Sequence, residues 1–361
     1  QVDWVMDSNG HPTMSPKDTI NTLLDTHFPG NRVYAPDNPR NPVSSEPALK
    51  TNNLVVNVND ILTTQKVTWA LESFQPYKAP GPDGIFPICI KSLPRQMIHL
   101  ITALFRLCLI AGYVPQGWRH TKVIFIPKPG KQNYYDPKSF RPISLTCFLL
   151  KTLERCIELY LKSQVLTKSP IKHSQHAYCP GRSKDSALHQ LVSKLEKSLL
   201  KKNSTLCTFL DIQGAFDHTT PQSISLALQN HNTPKFIISF IMAMLQSRYI
   251  SVTLHGVTTT RSIGKGCPQG GILSPLLWNL VMNGLLAMLE THKIWSLGYA
   301  DDLVICVENQ DPVISAEVTQ HALNLIENWC TDQMLSVNPK KSRGNACYQK
   351  VKISSSKHQN F

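Results

Sequence analysis

Apolar positions along this chain fall into two rhythms, one of period near 3.6 and one of period two, and turn-forming clusters separate them. Ser15 to His27 reads as a short helix, and Asn59 to Phe74 as a second, capped one. The run MIHLITALFRLCLIA at 97–111, stopped at Gly112, predicts a buried helix over 94–111 that is too short to span a bilayer. Further helices are expected at 145–168 and 184–202, with a Pro/Gly turn at Cys179 to Arg182 between them. Thr121 to Pro127 and LCTFLDI (206–212) read as strands, and the alternation in YISVTLHG suggests an antiparallel strand. In SPLLWNLVMNGLLAMLE, Ser274 serves as cap and Pro275 sits in the first turn of a long helix. GYADDLVICV (298–307) reads as a hairpin. Pro312 to Met334 reads as an amphipathic helix with Val318, Ala322, Leu325, Ile326 and Trp329 on one side. Strands alternating with helices give an α+β sheet domain with helices packed on one face.

The intervals between these elements carry their own signals. Residues 1–58 are rich in Pro, Asn, Asp and Ser, as in YAPDNPRNPVSSEP (34–47), and read as a loop-rich connector. YKAPGPDGIFP places two Gly and three Pro in eleven residues, which fixes a rigid turn. Gln1 is not a translation start, so the chain reads as a fragment.

Composition excludes a disordered tail: the 361 residues are 42% hydrophobic, enough for two or three domains with real cores. The formal net charge of +13 implies an anionic partner, nucleic acid or an acidic surface. Residues 1–76 hold five Lys/Arg against eight Asp/Glu, so the excess lies later. It is densest from Arg119 to Arg155, with eight basic residues against two acids. The ten cysteines show no CxxC pair and no zinc-like spacing, and no secretory signal is visible. They read as reduced thiols of an intracellular protein.

Asp301 and Asp302 interrupt an apolar stretch running from Ile294 to Val307, where unpaired negative charge is costly. Mg²⁺ is the natural neutralising agent, because hard cations take carboxylate oxygens and leave room for substrate phosphates. Asp211 ends another expected strand, and two neighbouring strand ends would bring it beside the hairpin. Three carboxylates around two ions ~3.5–4 Å apart make the clamp used for in-line phosphoryl displacement. A lone Asp-Asp pair elsewhere would simply be an exposed turn, but that reading leaves the flanking apolar strands unexplained.

Seven segments in order, YKAPGPDGI, FRPISLTCFLLKTLERCI, HAYCPGRSKDSALHQLV, FLDIQGAFDHT, GCPQGGILSPLLWNLVMN, GYADDLVICV and LSVNPKKS, resemble the reverse transcriptases of non-LTR (LINE-type) retrotransposons. The LDIxGAFD and GCPQGGILSP forms look most like Jockey, I and LOA-like elements. The resemblance covers roughly residues 60–342. It implies a right-hand polymerase fold with fingers and an antiparallel palm sheet backed by helices, the chain stopping where a thumb would begin. The domains implied are a connector (1–58), fingers with an N-terminal extension (59–205), palm (206–342) and a divergent tail (343–361).

Carried over by position, Asp211, Asp301 and Asp302 match the metal-binding aspartates, with the Ile212 carbonyl as an extra ligand. Phe216 matches an aromatic steric gate against a nucleotide 2′-hydroxyl; core packing is its alternative. Gln269 matches the residue lying against the incoming nucleotide, and Gly270 permits close backbone approach; a tight turn before Ser274 is the alternative. Lys128 and Arg141 match basic residues that embrace the triphosphate, a task suited to the guanidinium fork, with solvated surface as the rival. Lys341 matches the NPxK lysine that assists proton transfer near the pyrophosphate, or is surface charge. Asp83 and Arg182 look structural or template-side. Gln213 and Cys179 depart from the family's usual residues.

The resemblance thus implies RNA-directed DNA synthesis from a DNA 3′-hydroxyl. It uses two Mg²⁺ (Mn²⁺ as substitute), dNTPs, an RNA template and a DNA primer, in the nucleus and without a membrane. The alternatives are a catalytically inactive nucleic-acid-binding remnant and an RNA-dependent RNA polymerase, the latter disfavoured by Phe216.

Overall fold

The computed structural model describes residues 2–34, 57–339 and 341–347. Residues 35–56 of the connector expected over 1–58, and the tail beyond residue 347, lie outside the described residues. The elements are α1 (Pro16–His27), β1 (Arg32–Val33), α2 (Thr64–Glu72), α3 (Arg95–Ala111), β2 (His120–Pro127), β3 (Phe140–Leu145), α4 (Phe148–Tyr160) and α5 (Lys184–Leu200). They continue with β4 (Ser204–Gln213), α6 (Pro221–Asn230), α7 (Lys235–Gln246), β5 (Tyr249–Leu254), β6 (Val257–Ser262) and α8 (Ser274–Thr291). The chain then forms β7 (Trp295–Tyr299), β8 (Asp302–Asn309), α9 (Pro312–Asp332), β9 (Ser336–Val337) and β10 (Arg343–Cys347). Two compact units result: Gln1–Ile171 with Gly214–Val281 and Gln333–Leu335, and Lys172–Gln213 with Met282–Asp332 and Ser336–Phe361.

The first unit carries a sheet in the order β1-β6-β5-β2-β3. β5 and β6 form an antiparallel hairpin whose two-residue turn places both His255 (φ 47°) and Gly256 (φ 79°) in the left-handed region, as a twist-matched hairpin requires. The antiparallel pairing expected for YISVTL is therefore present, and the strand also runs parallel to β2. β6, VTTTRS, has no apolar alternation to announce it. α1 begins where the Ser15 hydroxyl accepts the Asp18 amide (3.2 Å). It packs Ile20, Leu24 and Phe28 against Val123, Ile250, Val252 and Ile263. This stretch of the expected connector is therefore core, because its apolar residues recur on one helical face.

Two helices differ from their sequence reading. The capped helix over 59–74 is broken in two: residues 57–61 are helical, and α2 restarts with the Thr63 hydroxyl accepting the Lys66 amide (3.2 Å). α3 has the expected bounds and ends on Gly112 at φ 56°, but it is not buried all round. Thr102, Phe105, Cys108 and Leu109 are inside, while Met97, Leu100, Leu104 and Leu107 face outward. Among the described residues no helix is long and apolar enough to cross a membrane.

The second unit carries the antiparallel sheet β10-β4-β8-β7, with β9 pairing the end of β4. On one face, α5 covers Cys207, Leu297, Val304 and Cys306 with Ala187, Leu191 and Leu195. Leu303, Ile305 and Val307 point the other way along β8 and are buried too, so the strand is covered on both faces rather than the one expected. α9 packs on β4 and β8 through Ser315, Thr319, Ala322, Ile326 and Cys330. That stripe lies about one position round from the expected one, and Val318 is exposed. The first residues of the expected tail, Arg343 to Cys347, complete the sheet as β10 beside β4.

Candidate active site

In the second unit, β4 delivers Asp211 and β8 begins at Asp302, and the two are directly opposed in the antiparallel register. Cross-strand partners project to the same face, so both carboxylates share one side of the sheet. Tyr299 pairs with Asp302 on the other flank, leaving Ala300 and Asp301 as a two-residue turn. Ala300 sits at φ 58°, a conformation that costs a residue with a Cβ roughly 1–2 kcal/mol. The Asp301 carbonyl accepts the Ile212 amide (3.2 Å), which ties the turn to the end of β4.

The segment after β9 closes over Asp211. Lys341 Nζ lies 2.9 Å from Asp211 Oδ1 and Asn338 Nδ2 3.1 Å from Oδ2, while the Asn338 amide donates to the Asp211 carbonyl at 2.8 Å. Burial raises the Asp302 carboxyl above its ordinary range, and the charges of Asp301 and Asp211 push it the same way; Lys341 opposes them. Three mutually repelling carboxylates are a donor set that suits a hard cation. Among the described residues, however, no three acidic, His or Cys side chains are gathered into a group ready to hold an ion. Asp211 is instead committed to Lys341 and Asn338. Beside the carboxylates a groove of about 630 Å³ is lined by Lys184, Leu188, Phe209, Tyr299, Lys341 and Arg343.

In the first unit, the loop GKGCPQGGIL is held from several sides. The Gly266 amide donates to the Thr219 carbonyl (2.7 Å), the Cys267 amide to Phe216 (2.6 Å), and the Ser144 amide to the Gln269 carbonyl (2.7 Å). Two glycines are obligatory there. A Cβ on Gly266 (φ 79°) would sit 2.6 Å from the Asp217 carbonyl oxygen, and one on Gly270 (φ 119°) 2.7 Å from that of Ser144. Gln269 Nε2 donates to both oxygens of Asp217, at 2.9 and 3.0 Å, and the Ile272 amide donates to Glu154 Oε2 at 3.1 Å. Arg248 donates to the carbonyls of Leu245, Lys265 and Gly266.

Burial pushes the Asp217 carboxyl up to about 7, against the pull of Gln269, Lys128 and Arg248. Burial likewise pushes Glu154 up to about 7, opposed by the Ile272 amide, Lys151 and Arg248. Phe216 is half-buried, its ring 6.3 Å from that of Trp278. Lys128 follows β2, its amide bonded to the Ser139 carbonyl and its Nζ to Lys138 (both 2.8 Å). Arg141 is exposed on β3. Ser274 lies within α8 rather than before it, and its hydroxyl donates to the Pro268 carbonyl (2.8 Å). Arg182 donates to the Lys172 and Gln175 carbonyls, within the second unit.

The structure therefore brings Asp211, Asp302 and Lys341 together in one unit, with Asp301 on the adjoining turn, and joins Gln269, Gly270 and Phe216 to one loop system in the other. Sequence reasoning missed Asp217, Asn338 and Glu154. All three lie inside segments singled out for other residues; Glu154 is one of only two acids in the basic stretch.

Residues 126–354 match the family model described as "Reverse transcriptase (RNA-dependent DNA polymerase)", a match that runs past Ser342. The chain is 29% identical over 290 residues to the RNA-directed DNA polymerase from mobile element jockey of Drosophila funebris, covering 78% of this chain and 31% of that protein. It is 28% identical over 281 residues to the probable RNA-directed DNA polymerase from transposon X-element of Drosophila melanogaster, covering 75% and 30%. The chain thus spans about a third of the length of these relatives. A solved structure of apo telomerase from Candida tropicalis aligns with a TM-score of 0.46 and 13% identity, over 73% of this chain and 57% of that one. The opposed carboxylate strands and the glycine-rich loop both lie within the matched residues, and the chain belongs to the reverse transcriptase family.

Proposed function

We propose that this chain catalyses RNA-templated DNA synthesis, transferring a nucleotidyl group from a dNTP to a primer 3′-hydroxyl. The observation that carries this reading is the register of Asp211 against Asp302, with Asp301 on the adjoining turn, inside a reverse transcriptase match. In this reading the second unit's sheet corresponds to the palm and the sheet of the first unit to the fingers. Asp211, Asp301 and Asp302 would hold divalent cations, with the Ile212 carbonyl as a further donor. Bound there, a pair of Mg²⁺ or Mn²⁺ ions would supply activation of the attacking hydroxyl and stabilisation of the leaving pyrophosphate.

The chain's own residues divide the remaining work. Lys341, whose Nζ lies 2.9 Å from Asp211 Oδ1, would release that carboxylate oxygen and hold a proton for the pyrophosphate side. Gln269, its amide nitrogen held by Asp217, would lie against the incoming nucleotide, and the half-buried Phe216 ring would limit the sugar to a 2′-deoxy form. Lys128 and Arg141 supply positive charge for the triphosphate. Primer extension on RNA and DNA templates, with dNTPs or rNTPs, tests the whole reading. Asp211→Asn and Asp301→Asn are expected to abolish Mg²⁺-dependent extension and to leave RNA binding largely intact. Extension at the wild-type rate by either variant rejects it. RNA binding without any extension by the unaltered chain favours the inactive remnant instead.

A further inference from the structure

Cys207 on β4 and Cys306 on β8 are direct partners in the antiparallel register, under α5 and on the same face as Asp211 and Asp302. Cys207 lies four residues before Asp211, and Cys306 four after Asp302. Their sulfur atoms are 2.8 Å apart, closer than two unbonded sulfurs sit comfortably and short of the ~2.05 Å of a bond. Opposed residues of an antiparallel pair have Cα atoms roughly 4.5–5.5 Å apart, inside the ~4.4–6.8 Å window a disulfide needs. Bridging them therefore requires no movement of either strand. None of the nine cysteines from Cys89 to Cys330 is joined in a disulfide, and Cys207 and Cys306 face each other directly across the β4–β8 ladder.

We propose that Cys207 and Cys306 form an oxidation site, a cross-strand thiol pair that closes to a disulfide and ties together the two strands carrying the carboxylates. The oxidant that fits is a small peroxide, because the two residues are only 2% and 3% exposed beneath Ala187, Leu191 and Leu195. A thiolate of one cysteine attacks the peroxide O–O bond, giving a sulfenic acid and hydroxide. The second thiol attacks that sulfur, the S–S bond forms and water leaves. Two thiols lose two electrons and two protons in all, and one hydrogen peroxide becomes two waters. The Cys207 thiol, drawn below its usual range by its contact with Cys306, is the better placed to begin. The tie closes a loop of about a hundred residues, so it restricts the unfolded chain strongly and stiffens the floor beneath Asp211 and Asp302.

Titration of the full chain with hydrogen peroxide, followed by denaturing alkylation and peptide mass analysis, tests this directly. The expected result is a peptide linking Cys207 to Cys306 and a protein two hydrogens lighter. An upward shift of several degrees in melting temperature should accompany it, both reversed by a dithiol reductant. The exposed Cys89 serves as internal control for oxidant reaching the protein. Cys207→Ser and Cys306→Ser should each lose the linked peptide and the redox-dependent shift. Oxidised Cys89 with Cys207 and Cys306 both alkylated overturns the proposal, as does either cysteine linked to a different partner. These outcomes are read from mass and melting alone, so they stand whether or not the chain polymerises.

Discussion

The Lys341 ammonium lies 2.9 Å from Asp211 Oδ1, and it is also the group that opposes the upward drift of the Asp302 carboxyl. One cation thus offsets the repulsion of a carboxylate cluster. Lys341→Met removes the offset, leaving burial, Asp301 and Asp211 to raise Asp302 further. A carboxyl with a raised value ionises only at higher pH. The acid limb of the extension rate against pH should therefore move to higher pH in the variant. If Lys341 also supplies a proton, the plateau rate should fall by roughly 10²-fold. An unaltered acid limb and plateau would return Lys341 to surface charge.

Phe216 follows Asp211 by five residues and its amide-flanking carbonyl holds the Cys267 amide, so its backbone is fixed while its ring remains half-buried. A ring serving only as core filler would be fully enclosed. Phe216→Val keeps an apolar side chain and removes the ring. The variant should incorporate rNTPs relative to dNTPs at least tenfold better, about 1.4 kcal/mol of lost discrimination. Single-nucleotide incorporation with matched dNTP and rNTP measures it, and unchanged selectivity would assign the ring to packing against Trp278.

The carboxylate strands were legible because charge inside an apolar alternation is a local contradiction, and Asp301 and Asp302 stand out against Leu303 to Val307 for that reason. Asp211 was legible as the end of LCTFLDI. Asp217 and Glu154 were not, since an acid inside a helix or after an aromatic residue is locally unremarkable; only the fold shows each meeting an amide donor. β6 was invisible because its Thr-rich pattern carries no apolar period. α1 was placed correctly, yet its burial depends on partners over a hundred residues away. The outward face of α3 was misread because an apolar run reports hydrophobicity without reporting which side finds a partner.

Gly270 holds φ 119°, a Cβ added there would lie 2.7 Å from the Ser144 carbonyl oxygen, and the Ser144 amide in turn donates to the Gln269 carbonyl. A methyl group at Gly270 meets backbone, which cannot rotate away. Gly270→Ala should cost about 1–3 kcal/mol of stability from conformational strain alone. It should also displace Gln269 from Asp217, so nucleotide KM should rise more than kcat falls. Gly264→Ala, where a Cβ meets open space, is the matched control and should behave as wild type. Equal behaviour of the two alanine variants would show that the loop adapts and that its close approach to β3 is not needed.

Glu154 is the sharper test of the buried network, because burial has pushed its carboxyl up to about 7 while an unfolded glutamate titrates near ~4.3. Between those values the folded chain binds the extra proton, so stability must fall as pH rises from about 4 to about 7. The stabilisation is fully present below the unfolded value and gone above the folded one, an effect on the order of 3 kcal/mol for this group. Asp217 contributes with the same sign. Glu154→Gln keeps a side-chain oxygen to accept the Ile272 amide and removes the charge. The variant should match or trail the wild type in urea unfolding at pH 5 and gain on it at pH 8. The contribution of this network to the slope should shrink further when Asp217→Asn is added. A wild-type stability that rises between pH 5 and pH 8, with no relative gain from Glu154→Gln, would mean that Arg248 keeps both carboxylates ionised throughout, and the network would then be a permanent ion cluster rather than a protonated one.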